Sequence, residues 1–250
     1  MKYGFQHARQ FGDLRLPDGD GPHPVAIVVH GGFWLASYEL ALMDPLCDAL
    51  TAQGIATWNL EYRGVGNEGG GWPGTLLDVA AGADTLRALA MTRPLDLGRV
   101  VAVGHSAGGH LALWLAARRR IKGGPLASPN PLAVSHVVAL APIADLRAAW
   151  AAGYGAVGKL LGGTPKDVPA HYADASPAEH LPLGVRQVVV HGVDDHVVAI
   201  QLSRDYVAAA SAQGDDAVLV ALDGTGHFEP IDPRSVAWPG VLDAVHPLPR

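Results

Sequence analysis

Six short apolar runs, Val25 to His30, Ile55 to Leu60, Arg99 to Val103, His136 to Ala141, Gln187 to His191 and Ala217 to Leu222, alternate along this chain with stretches whose apolar residues return at helical spacing. The runs are mostly rich in Val, Ile or Leu, and most are bounded by Gly or Pro, which is how strands buried on both faces read. The helical stretches between them include Leu42 to Gln53, Thr75 to Met91, Ala107 to Arg120 and Ile200 to Gln213. Strand and helix in alternation imply an α/β fold, a mostly parallel sheet with helices on both faces. In such sheets ligands bind beyond the carboxyl ends of the strands, so the loops that leave the strands are where chemistry is expected.

Ahead of the first run, Lys2 to Arg9 and Leu14 to Leu16 are read as one or two antiparallel edge strands, which brings the sheet to about eight. The segment from Ala144 to Pro182 is punctuated by Gly153, Gly155, Gly158, Gly162, Gly163, Pro165, Pro169 and Pro177. It is expected to form short helices over the sheet, with little or no separate cap. No internal repeat or interdomain linker stands out, so residues 1–250 are expected to form a single domain.

Composition narrows the functional classes. With 49% hydrophobic and 17% charged residues the chain reads as globular. Its formal net charge of -6 and the lack of a basic, aromatic-rich stripe argue against a nucleic-acid partner. Cys47 is the single cysteine, so no intrachain disulfide is available. Met1 to Gln10 lacks the apolar centre of a signal peptide, and no run of about eighteen uncharged apolar residues occurs. The expectation is a cytoplasmic protein without a membrane partner.

Gly104-His105-Ser106-Ala107-Gly108-Gly109 follows the third strand and opens a helix. A sharp strand-to-helix turn that lifts a serine oxygen clear of the backbone tolerates only small neighbours, and this sequence supplies them. Ser106 is therefore read as a nucleophile. An N-cap serine at a Gly-rich helix start would explain the serine but not both flanking glycines. His30-Gly31-Gly32-Phe33-Trp34 leaves the first parallel strand at the same edge. The N–H groups of Gly32 and Phe33, with that of Ala107, are expected to form an oxyanion hole; an ordinary Gly-Gly turn is the plainer alternative.

A serine needs a base, and the base needs a carboxylate to orient it. His227 stands in the Gly-rich loop after the last strand, Asp223 to Phe228, and is the candidate base. The carboxylate should follow the preceding strand, where His191-Gly192-Val193-Asp194-Asp195 offers two aspartates that these arguments do not separate.

These four motifs together resemble α/β-hydrolases of the esterase, kynurenine formamidase-like and prolyl-oligopeptidase-like groups, over the chain from about Val25 to Phe228. The order Ser106, Asp195, His227 is the hydrolase order. In those relatives the aspartate stands in Gly-x-x-Asp-x-x-Val, which falls on Gly192, Asp195 and Val198, so the resemblance favours Asp195, with Asp194 stabilising the turn. Phe33, where hormone-sensitive-lipase-like esterases carry a third glycine, is closer to the formamidase-like pattern.

Other signals are set aside. Gly64-Val65-Gly66-Asn67-Glu68-Gly69 matches a dinucleotide fingerprint, but Gly70 to Gly74 prolong the loop instead of starting a helix at the phosphate. Arg63 to Gly74 is read as a mobile active-site wall in which Trp72 either touches substrate or simply packs. Trp34 and His105 are the other candidate substrate contacts. His105 and His110, five apart, do not share a helix face for a metal, and no metal or cofactor is expected. Arg118, Arg119 and Arg120 are read as closing a helix whose C-terminal dipole end they offset. The expected partner is a small acyl substrate. Esters lead, an N-formylkynurenine-type arylformamide and a small peptide follow, and a catalytically silent small-molecule binder is the alternative outside enzymes.

Overall fold

A computed structural model describes residues 1–246. Seven strands, Gly12–Arg15 (β1), His23–Val29 (β2), Ala56–Leu60 (β3), Leu95–His105 (β4), His136–Leu140 (β5), Arg186–Gly192 (β6) and Ala217–Leu222 (β7), form one sheet in the order β1-β3-β2-β4-β5-β6-β7. All neighbours are parallel except β1, which runs antiparallel to β3 at the edge. The described sheet thus has seven strands rather than about eight, because Lys2 makes only an isolated bridge to Phe11 and extends no strand.

The helices are Asp44–Ala52 (α1), Gly74–Asp84 (α2), Leu86–Ala90 (α3), Ala107–Ala117 (α4), Leu146–Ala151 (α5), Ala156–Leu161 (α6), Pro169–Ala175 (α7), Ile200–Ala212 (α8) and Trp238–Val245 (α9). The helix expected over Thr75 to Met91 is divided at Thr85, whose hydroxyl turns back to the Ala81 carbonyl at 2.8 Å, a bond that bends helices. The punctuated segment after Ala144 forms α5, α6, α7 and a 3-10 turn at Pro177–His180. α9 carries no strong sequence signal, being short with Pro239 and Gly240 inside it. Proline is tolerated in the first helical turn, where its missing N–H has no partner to lose, and Val241 and Val245 are buried.

Successive residues of a strand face opposite sides, and here both sides are dry. Val25, Ile27 and Val29 pack with Trp58, Leu76, Leu111 and Trp114, whereas Ala26 and Val28 pack with Leu46, Leu50, Val241 and Val245. Every residue of α4 is buried, as expected for a helix that is apolar all round. Arg118, just beyond it, is also buried and forms a two-pronged pair with Asp84 at 3.1 and 2.6 Å. The connection from β2 leads to β3 on one side, and that from β4 leads to β5 on the other. The chain reverses direction across the sheet there, so the crevice lies beyond the carboxyl ends of β2 and β4.

Candidate active site

Ser106 sits between β4 and α4 with φ 55° and ψ -119°. This is a strained conformation for an L-residue, held by the elements on both sides. The flanking glycines are explained by contact distance. A Cβ on Gly104 would stand 2.1 Å from the Gly108 carbonyl oxygen, and one on Gly108 would stand 2.1 Å from that of Val29 at the end of β2. The elbow and the loop after β2 are therefore in direct contact.

That loop is strained as well. Gly32 has φ 106°, and Phe33 and Trp34 have φ 52° and 58°. Its fixation comes from both ends. At the start, the His30 ring stacks on Tyr62 and lies 3.1 Å from Glu61 Oε1, while the Tyr62 hydroxyl donates to the His30 carbonyl at 3.0 Å. Burial would raise the Glu61 carboxyl, but hydrogen bonding and charge from His30 and backbone N–H donors outweigh it and leave it lowered.

At the far end, Trp34 is fully buried and its indole N–H donates to His110 Nδ1 at 3.1 Å; His110 Nε2 donates in turn to the Ala175 carbonyl at 2.9 Å. Trp34 thus belongs to the core behind the loop and is not a substrate contact: its indole is used to lock the loop to α4. Among the described residues, the N–H groups of Gly32, Phe33 and Ala107 donate to no protein acceptor. Three free donors therefore stand at the junction of this loop with the elbow.

The base candidate and its carboxylate meet directly. His227 Nδ1 and Asp195 Oδ2 are 2.6 Å apart, and both residues are buried. Asp195 Oδ1 accepts the N–H groups of Val197 and Val198, each at 2.8 Å. His191 Nε2 lies 3.1 Å from Oδ2. Burial alone would raise the Asp195 carboxyl; hydrogen bonding with His191, His227 and the Val198 N–H, with the charge of His227, holds it well below the usual carboxylate range. Asp194 is exposed, and its N–H donates to the Thr225 carbonyl at 3.0 Å.

His105, immediately before Ser106, is buried, and its Nε2 donates to the carbonyl of His227 at 2.8 Å. Desolvation, followed by the nearby His227, pushes its pKa down to about 3, so the ring is neutral near pH 7. No hydrogen bond joins the Ser106 hydroxyl to His227 Nε2, and neither atom has another partner among the described residues. Phe228, beside the His227 ring, is 54% exposed and forms a rim. Trp72, half-buried, stacks on His171 with ring centroids 3.5 Å apart, and its backbone N–H donates to the Leu160 carbonyl at 2.7 Å. A groove of about 300 Å³, lined by Phe33, Leu35, Tyr154, Ala156 and Lys159 among others, adjoins the strained loop.

Two residues at this site carry no sequence signal that assigns them a role. His110 meets Trp34 across 76 positions. His191 stands in plain view before Gly192, but nothing in the sequence says that its ring turns toward Asp195.

The sheet order and a nucleophile-type elbow between β4 and α4 define an α/β-hydrolase. The family model described as BD-FAE matches residues 13–209, and the chain belongs to that family. Among solved structures, it is similar to a bifunctional GH43-CE protein from Bacteroides eggerthii (TM-score 0.84, 23% identity), with 98% of this chain aligned to 37% of that one. A truncated carbohydrate esterase from gut microbiota aligns over 98% of this chain and 93% of its own length (TM-score 0.82, 21% identity). The esterase Est2 of Thermogutta terrifontis aligns over 92% and 83% (TM-score 0.73, 21% identity). No curated protein matches the chain. At these identities the likeness is one of fold. No described helix is long and apolar enough to cross a membrane.

Proposed function

We propose that this protein is a serine hydrolase of small carboxylic esters, with Ser106 as nucleophile, His227 as base and Asp195 as the carboxylate that orients it. The observation that carries this reading is the 2.6 Å His227–Asp195 hydrogen bond, in a loop whose His227 carbonyl is held by His105, the residue before Ser106. Serine–imidazole hydrogen bonds are often open without substrate and close in the Michaelis complex, so the unjoined pair is compatible with this role.

In the reaction, His227 Nε2 takes the Ser106 proton as Oγ attacks the acyl carbonyl. The N–H groups of Gly32, Phe33 and Ala107 receive the negative charge of the tetrahedral intermediate, where fixed donors stabilise it without reorganising. The imidazolium returns the proton to the leaving alcohol. Water, deprotonated by the same imidazole, then releases the carboxylic acid and restores Ser106.

Short acyl groups are supported by the neighbours: Est2 of Thermogutta terrifontis is described with propionate and with butyrate bound, and phosphonylated by sarin. The groove of about 300 Å³ reaches the proposed machinery at Phe33, one of the proposed oxyanion donors, and its modest volume suits the acyl or alcohol part of a small ester. The test is turnover by wild type and Ser106→Ala on p-nitrophenyl acetate, butyrate and octanoate, with N-formylkynurenine alongside. Wild type should hydrolyse the short esters fastest and the variant none of them. An inert wild type, or a variant that matches it, would overturn the reading; faster turnover of N-formylkynurenine than of any ester would replace the substrate class with the arylformamide.

A further inference from the structure

Asp195 receives two imidazoles on one oxygen. Oδ2 lies 2.6 Å from His227 Nδ1 and 3.1 Å from His191 Nε2, and all three side chains are buried. The proton on His191 is placed by its other contacts. Nε2 faces the Val198 carbonyl at 2.9 Å, which only accepts, so Nε2 carries the hydrogen. Nδ1 is then a bare acceptor, and the Ser203 hydroxyl on α8 donates to it at 2.7 Å. The hydrogen is directed at Val198, with Asp195 Oδ2 alongside.

Resting on the proposed triad, we infer that His191 is a positioning residue that tunes the base: its Nε2–H, held by Ser203, places positive dipole beside Asp195 Oδ2 and so weakens the carboxylate's hold on the protonated form of His227. The sign follows from electrostatics. A carboxylate next to an imidazole favours the imidazolium, and a donor that draws on the same oxygen reduces that preference. Protonated His227 cannot accept the Ser106 proton, so His191 extends activity toward lower pH. The ionisable groups gathered here are Asp195, His191, His227 and His105. Glu229 stands further along the His227 loop, where it accepts the Gly226 N–H at 3.1 Å, and Asp194 and His196 are exposed on the Asp195 loop.

The experiment is the pH profile of kcat/KM on p-nitrophenyl acetate for wild type, His191→Leu, His191→Phe and His191→Gln, with Ser106→Ala as control. Loss of the donor in the Leu and Phe variants should move the acid limb upward by roughly half a pH unit or more. Gln, whose amide N–H can take the place of Nε2–H, should restore the wild-type limb. A purely structural residue would lower kcat without moving the limb, so an unmoved limb in folded His191→Leu or His191→Phe overturns the inference. Should neither variant fold, the ¹⁵N shifts of the His191 ring in wild type decide it: a protonated Nε2 with bare Nδ1 supports the inference, and the opposite tautomer overturns it. Turnover that survives in Ser106→Ala would instead mark failure of the triad itself.

Discussion

His105 Nε2 and the carbonyl oxygen of His227 lie 2.8 Å apart, so the loop that carries His227, the proposed base, is fastened to the residue immediately before Ser106, the proposed nucleophile. This contact does for the backbone what Asp195 does for the ring: one fixes where the loop sits, and the other fixes which way the imidazole faces. Replacing His105 by Phe should keep the packing but remove the donor. Because displacement of a reacting group by about 1 Å can lower rate about 100-fold, we expect kcat to fall by roughly 10- to 100-fold with KM little changed. His105→Gln, which keeps a donor, should recover most of the loss, and steady-state kinetics on p-nitrophenyl acetate checks both.

The two neighbouring aspartates should behave differently. Asp195 holds His227 Nδ1 and two backbone N–H groups, whereas the side chain of Asp194 lies exposed. Asp195→Asn is expected to lower kcat by about 10³-fold or more, since the amide disturbs the imidazole tautomer. Asp194→Asn should leave kcat within about threefold. Equal effects in the two variants would show that the carboxylate has been misassigned.

Buried neutral histidines make the fold sensitive to acid. Burial depresses His105 to about 3 and His110 to about 4 from an ordinary value of 6.5. Between those limits the unfolded chain binds more protons than the folded one, so stability is present above about 6.5 and declines as pH falls below it. Each group contributes at most about 1.4 kcal/mol per pH unit. Thermal midpoints measured from pH 7 to pH 4 should fall, and His110→Gln should flatten the decline if that variant folds. A pH-independent midpoint over this range would contradict the assignment of these rings as neutral.

Trp34→Phe tests the anchor of the strained loop. The substitution removes the indole N–H and leaves His110 Nδ1 buried without its donor, a loss of about 1–3 kcal/mol. Because Phe33 is the adjoining residue and holds a positive φ, kcat should fall along with the thermal midpoint. Unchanged activity in a destabilised Trp34→Phe would show that the loop keeps its shape without this bond.

Much of this architecture was legible in the residues. The alternation of buried runs with helical stretches specified the parallel sheet, and the small residues around Ser106 and after His30 marked the two contacting loops. What escaped was of two kinds. α9 is short and begins around a proline, so its pattern is too brief to register against the loop composition that surrounds it. The contacts of Trp34 with His110 and of His191 with Asp195 depend on side-chain direction, which residue spacing does not encode; hence Trp34, in the loop after β2, reads as a substrate contact although it points into the core. Asp195 was separated from Asp194 by resemblance alone, and the physical distinction lies in which carboxylate turns back beneath the loop.

The proposed triad is tested most directly by where a mechanism-based probe becomes attached. Wild type treated with a fluorophosphonate and mapped by peptide mass spectrometry should carry a single adduct on Ser106, formed far more slowly in His227→Ala and absent in Ser106→Ala. An adduct on another residue, or labelling of Ser106 at an unchanged rate in His227→Ala, would contradict it.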